Sequence, residues 1–196
     1  MTGLPAAGGA AVGAPSGAPT GRADVLARID ELVRLVPDYP QPGVLFRDIT
    51  PLLADGPAFA GVVEAMAAAA PEGVDLVAGM EARGFLLAAP VSVALGAGLL
   101  PVRKAGKLPG PTAVEHYELE YGHASVEIHP FTVPEGARVL VIDDVLATGG
   151  TAAATVALLE RCGAEVVGLS FLVELEGLDG RARLGGLPVD VLVRVP

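Results

Sequence analysis

Asp143 and Asp144 stand side by side after the apolar run Val139-Leu-Val-Ile142, and Val145-Leu-Ala-Thr-Gly-Gly-Thr151 follows them. Gly149 and Gly150 leave the backbone bare, so successive N–H groups can converge on an anion. The helix expected from Thr151 adds partial positive charge at its start, and Thr148 and Thr151 add hydroxyl donors. This is a phosphate cradle. It is not a Walker loop, because no Lys follows the glycines, and it lacks the glycine spacing of the dinucleotide fingerprint. Two carboxylates repel a phosphate. They suit the hydroxyls of a sugar attached to that phosphate, or a metal ion beside it. Cradle and carboxylates together read as a ribose 5-phosphate site. The competing explanation is a plain helix start with Asp near its positive end and Thr as cap.

A second cluster is basic. The chain has only two lysines, Lys104 and Lys107, and both lie with Arg103 inside five residues of a protein whose net charge is −10. Such a cluster fits an anionic ligand; a solvated basic loop is its bland counterpart. Arg83, in Glu81-Ala-Arg-Gly-Phe85, is a further candidate. Arg offers a rigid fork to phosphate oxygens, and Lys a mobile point charge.

These residues need elements to hold them. An amphipathic helix is expected over 23–36, ended by Pro37, then a Pro/Gly loop to Gly43 and a short extended piece over Val44–Arg47. An Ala-rich helix follows over Pro57–Ala70. Apolar strands are expected over 75–79, 99–103, 139–142, 166–173 and 189–193, with helices from about Gly84 and over 151–161. Residues 104–113 read as a loop, and 114–121 with 125–129 as a two-stranded flap around Gly122. Strand–helix alternation with apolar strands implies an α/β fold: an open parallel sheet flanked by helices. Ligands of such sheets bind at the carboxyl ends of the strands.

Composition sets bounds on this reading. The 196 residues suit one domain, expected over 22–196, and the 52 % hydrophobic content excludes a wholly disordered chain. Residues 1–21 are almost all Ala, Gly, Pro, Ser and Thr, without a basic n-region or apolar h-region. They read as a flexible tail rather than a secretory signal. Gly84–Val102 is uncharged, but Pro90, Gly96, Gly98 and Pro101 divide it into helix and strand instead of a membrane span. An acidic chain is a poor nucleic-acid or anionic-membrane binder. The single cysteine, Cys162, excludes an intramolecular disulfide and fits a reducing, cytoplasmic setting. The three histidines lack zinc-ligand spacing.

Val139–Thr151 resembles the phosphoribosyl pyrophosphate motif of the type I phosphoribosyltransferases. Four further stretches resemble the adenine phosphoribosyltransferase family: Tyr39-Pro-Gln-Pro-Gly-Val-Leu-Phe-Arg-Asp-Ile-Thr-Pro51, Glu81–Phe85, Pro101-Val-Arg-Lys-Ala-Gly-Lys-Leu-Pro109 and Tyr117-Glu-Leu-Glu-Tyr-Gly122. The likeness runs in order from about Arg28 to Leu184. It implies the type I fold with a small N-terminal hood and a β flap. The reaction it implies is transfer of the 5-phosphoribosyl group to adenine, giving AMP and pyrophosphate.

The resemblance also distributes roles. Asp143, Asp144, Ala147, Thr148, Gly149, Gly150 and Thr151 would hold the phosphoribosyl group. Arg83, Arg103, Lys104, Lys107 and Tyr121 would meet pyrophosphate, with magnesium bound mainly through that pyrophosphate; a protein ligand for the metal stays open. Val44, Leu45, Phe46, Arg47 and Leu175 would hold adenine. Glu120, with Arg83 and Lys104, would serve catalysis under the closed flap. A homodimer is implied, with the loop near Arg103 close to the subunit contact. His116 departs from the pattern, where a small hydroxyl residue precedes the Tyr. No Lys follows Lys107, so the late strands offer no lysine donor to a 6-oxopurine; this favours adenine. A same-fold enzyme for another base, such as xanthine, and a phosphoribosyl pyrophosphate-sensing regulator are the competing readings.

Overall fold

The computed structural model describes residues 21–118 and 123–196. The expected tail falls outside them apart from Gly21. Helix α1 (Arg22–Leu32) buries Val25 and Ile29. The expected continuation to Val36 does not form. The chain turns extended at Val33, and Arg34–Val36 become β1, paired antiparallel with β2 (Phe46–Asp48) so that Val36 faces Phe46. Branched Val33 and Val36 sit as easily in extended backbone as in helix, so the long-range pairing decides. This hairpin is the N-terminal hood.

Asp48 Oδ1 accepts the Thr50 N–H at 2.9 Å and starts the short helix α2 (Thr50–Ala54), an element absent from the sequence reading. Asp55 caps α3 (Gly56–Ala69) by accepting the Ala58 N–H at 2.9 Å. The same carboxylate meets Arg28 Nη2 at 2.6 Å, which ties α1 to α3.

Alternating units follow as expected: β3 (Leu76–Met80), α4 (Arg83–Leu95), β4 (Gly98–Lys104), the hairpin β5 (Ala113–Glu118) and β6 (His123–Ile128), β7 (Arg138–Leu146), α5 (Gly150–Arg161), β8 (Glu165–Leu175) and β9 (Val189–Val195). They build a seven-stranded sheet ordered β5-β6-β4-β3-β7-β8-β9. The five strands from β4 to β9 are parallel. The flap hairpin is not separate. It extends the sheet, because β6 pairs antiparallel with β4 at Arg103↔Glu127 and Lys104↔Val126. His116 finds a cross-strand partner, its Nδ1 2.6 Å from Ser125 Oγ, so the departure from the family pattern is accommodated within the hairpin.

Two apolar cores form, one on each face. Leu158 and Leu159 of α5 pack with Val139, Val141 and the hairpin's Val126 and Ile128. On the opposite face, α1, α3 and α4 bring Ile29, Val62 and Leu87 against Leu140 and Ile142. No helix of the described residues is long and apolar enough to cross a membrane.

The strand order reverses between β3 and β7. β3 leads through α4 to β4 on one side, and β7 leads through α5 to β8 on the other. That switch point is where an open α/β sheet leaves a crevice for ligands. The segments leaving it are Glu81–Arg83 and Asp143–Thr151.

Candidate active site

The cradle is defined by backbone. Gly149 adopts φ +76°, a left-handed conformation that glycine accepts without strain, and α5 starts at Gly150. A cleft of about 90 Å³ opens between Asp143, Ala147, Thr148, Gly149, Gly150 and Thr151. One water needs about 10–15 Å³ of such space, so the cleft admits a larger group. Tyr117 of the flap stands over it, with its hydroxyl 3.0 Å from Thr151 Oγ1. Tyr117 opens the flap motif read in the sequence but carries no assigned role there, because its contact with Thr151 spans 34 residues of chain.

The strand does not stop at the carboxylates. β7 runs on to Leu146, with Asp143 opposite Phe171 and Val145 opposite Val173. Alternation therefore sends Asp143 and Asp144 to opposite faces. Asp143 Oδ1 accepts the Asp144 N–H at 2.9 Å. Gly84 permits close approach of α4: a Cβ there would lie 2.8 Å from Asp143 Oδ1 and from the Ile142 carbonyl. Asp144 is 4 % exposed, and its Oδ2 lies 2.9 Å from Arg83 Nε. The N–H is not aimed along that contact, so the pair is ionic and Oδ2 lacks a hydrogen bond.

Burial raises the Asp143 carboxyl well above the usual aspartate range, and the charge on Asp144 adds to the rise. Burial also raises Asp144, with Arg83 pulling the other way.

Arg83 is the hub. Besides Asp144, its Nη1 donates to the Arg47 carbonyl at 3.3 Å, and its guanidinium lies 4.9 Å from the Phe46 ring centroid. It thus joins the hood to the carboxylates. Phe46 also packs edge-on against Tyr39, with centroids 5.1 Å apart. Arg47 shares a cavity of about 120 Å³ with Val173 and Val193. Leu175 ends β8 on the same strand face as Val173, opposite Val195. Val44 already donates to the Gln41 carbonyl and accepts from the Tyr39 N–H, each at 3.2 Å. Leu45 is 45 % exposed.

The basic loop is organised by two acids that sequence reasoning missed. Glu81 Oε2 accepts Arg103 Nε at 3.1 Å and the Lys104 N–H at 2.9 Å. These bonds hold its carboxyl below the ordinary glutamate range. Arg103 is therefore committed to Glu81, whereas Lys104 and Lys107 point outward, exposed. Buried Glu127, on β6, accepts the N–H groups of Lys107 and Leu108 at 2.7 and 2.8 Å, and the Thr112 hydroxyl at 3.2 Å. Burial alone would raise Glu127; the N–H groups of Leu108, Lys107 and Gly106 and the Thr112 hydroxyl outweigh it, and the carboxyl titrates low. Glu120 and Tyr121 lie outside the described residues.

A family model, the phosphoribosyl transferase domain, matches residues 53–185. The adenine phosphoribosyltransferase of Thermobifida fusca is 56 % identical over 173 residues, covering 88 % of this chain and 98 % of its own. The crystal structure of adenine phosphoribosyltransferase from Rhodothermus marinus superposes with a TM-score of 0.84 at 45 % identity, covering 88 % of this chain and 99 % of that one. The Saccharomyces cerevisiae adenine phosphoribosyltransferase, solved with an imino-altritol bisphosphate and adenine, gives 0.82 at 38 % identity over 87 % of this chain and 99 % of that one.

Proposed function

The chain belongs to the phosphoribosyltransferase family and, within it, to the adenine phosphoribosyltransferases, and on that premise we propose how its residues divide the work. The enzyme moves the 5-phosphoribosyl group from phosphoribosyl pyrophosphate to adenine, a purine-salvage reaction that yields AMP and pyrophosphate. The observation that carries the assignment of roles is Arg83, which links the Phe46–Arg47 hood to Asp144.

In this reading the backbone N–H groups and hydroxyls of residues 147–151 hold the 5-phosphate. Asp143 and Asp144 accept from the ribose hydroxyls, which requires both ionised; Arg83 favours that charge on Asp144, while burial works against it on Asp143. Adenine enters between the hood and the end of β8, with Phe46 and Leu175 as apolar faces and with Arg47 and the backbone groups near Val44 and Leu45 as polar readers. Arg83 then exchanges Asp144 for the leaving pyrophosphate. Lys104 and Lys107, already outward, meet the same developing charge, the class of interaction that contributes most to such barriers. Holding adenine against the anomeric carbon supplies proximity, up to about 7–11 kcal/mol in favourable systems. Glu120 handles the purine proton and Tyr121 excludes water beneath the closed hairpin.

The pyrophosphoryl substrate arrives as its magnesium complex. The strand-end donors are carboxylate oxygens, one of them already engaged by Arg83. Such a set suits a hard cation that keeps most of its shell as substrate oxygen and water. The enzyme acts as a homodimer. Leu86 and Val93, seven residues apart on α4, are 48 % and 80 % exposed, and Leu99 on neighbouring β4 is 43 % exposed. An apolar stripe of this kind fits a second copy. Its unpaired Cys162 suits the cytoplasm.

A substrate panel tests the reading. Pyrophosphate release is measured with adenine, hypoxanthine, xanthine and no base. Adenine alone is expected to sustain rapid release; comparable kcat/KM for hypoxanthine overturns the base assignment, and release with no base overturns the transfer chemistry.

A further inference from the structure

The phosphate cradle contains no cation of its own, and the nearest acids, Asp143 and Asp144, are negative. A 5-phosphate held by N–H dipoles alone would sit beside uncompensated charge. The segment after β8 supplies what is missing. It folds back as two 3₁₀ turns, Glu176–Leu178 and Gly180–Arg183, and the second seats on the cradle. A Cβ at Gly180 would stand 2.2 Å from the Ala147 carbonyl oxygen and 3.1 Å from Gly149 N. A Cβ at Gly149 would stand 2.3 Å from the Gly180 carbonyl oxygen. Only two glycines allow the turn and the loop this close.

The same turn is braced from behind. Buried Glu174 accepts Arg181 Nε at 2.6 Å and pairs with Arg194 Nε at 3.3 Å, while Arg181 Nη1 donates to the Val189 carbonyl at 3.0 Å. Arg181 is therefore committed to anchoring through Nε and Nη1. Arg183, two residues on, is not. Among the described residues it has no hydrogen-bond or ion-pair partner. Its Nη1 lies 3.8 Å from where a Cβ of Gly150, the first residue of α5, would be, and a Tyr117 ring carbon lies 3.7 Å from the same point. Resting on the phosphoribosyl reading above, we infer that Arg183 is a further binding residue for the 5-phosphate, its guanidinium supplying the positive charge the cradle lacks.

The chemistry favours this assignment. Arg stays protonated at any working pH, and its fork can meet two phosphate oxygens while the backbone N–H groups meet others. Gly150 leaves the space between its own backbone and the guanidinium open. The turn holding Arg183 begins five residues after Leu175, so one segment joins the base side of the pocket to the phosphate side.

The test is calorimetric binding of AMP, ribose 5-phosphate and adenine to the wild-type chain, Arg183→Gln and Arg183→Lys. Arg183 is exposed, so both variants should fold, and matching thermal midpoints check it. The Gln variant is expected to lose about tenfold in affinity for AMP and ribose 5-phosphate alike, with adenine unchanged and most of the loss restored by Lys. AMP affinity within twofold of wild type in the Gln variant overturns the inference, as does an equal loss for adenine. Failure of the wild-type chain to bind AMP would instead overturn the reading on which the inference rests.

Discussion

The two halves of the pocket are held in different ways. The phosphate half is backbone: a left-handed Gly149, a helix start at Gly150, and Gly180 wedged behind. The half facing base and pyrophosphate is side chain. There Arg83 is occupied by Asp144 and Phe46, Arg103 by Glu81, and the 105–112 loop by Glu127. One half is ready before substrate arrives. The other holds its two arginines, Arg83 and Arg103, on internal carboxylates that substrate must replace. An anchor that needs no rearrangement can bind first and cheaply, while the exchange on the other side ties charge delivery to occupancy.

Several measurements would break or sharpen that contrast. The largest effect is expected at the exchanging pair. Asp144→Ala and Arg83→Ala should each cut kcat by about 10³-fold with the fold retained, since each removes a charge aimed at the reacting centre. Near wild-type AMP formation by either would remove the pair from the mechanism. Chelating divalent cations should abolish turnover, and added magnesium should restore it; persistence in a chelator contradicts delivery as a magnesium complex.

Next comes the rigid half. Gly149→Ala places a methyl 2.3 Å from the Gly180 carbonyl at φ +76°. It should cost about 1–3 kcal/mol of stability and raise the KM for phosphoribosyl pyrophosphate far more than that for adenine. Equal changes in both KM values would mean the two halves are not separable. Protonation supplies a smaller signal. Because burial raises the Asp143 carboxyl, AMP should bind with release of a fraction of a proton, and affinity should climb as pH rises through the raised value. Calorimetry in buffers of different ionisation enthalpy reads this directly, and zero release would contradict it.

Glu127 works in the opposite sense. Its folded carboxyl titrates low, so its contribution to stability is present above the ordinary glutamate value of about 4.3 and lost as pH falls below it. Glu127→Gln should flatten that acid limb by lowering the neutral-pH thermal midpoint while leaving the midpoint at the acid end of the limb little changed. The smallest effect on chemistry is expected from Val93→Glu. It should shift the sedimentation profile toward monomer while leaving adenine affinity unchanged; an unaltered profile would move the subunit contact off α4.

The same contrast explains what the sequence disclosed. Residues 147–151 were legible because glycine, hydroxyl and helix-start chemistry are local, and the α5 boundary came out within a residue. The parallel sheet was legible from its apolar runs. Three features were not. Arg34–Val36 read as helix because a 3.6 period is visible in the chain and a partner at Phe46–Asp48 is not. β7 was ended early at the carboxylates, since only the pairing of Val145 with Val173 shows that it continues. Glu81 and Glu127 went unnoticed because the groups they hold lie some 20 residues away along the chain.

Arg161, near the end of α5, bonds the Glu115 carboxylate and the Val114 carbonyl of β5. β5 is the outermost strand on its side of the sheet. An exposed rim of unsatisfied peptide groups is an invitation to cross-β stacking between molecules. Here a guanidinium from the neighbouring helix occupies that rim, paired with Glu115, and Glu118 places negative charge farther along it. In a protein this rich in alanine and valine, losing Arg161 is expected to show first as turbidity on storage rather than as lost turnover.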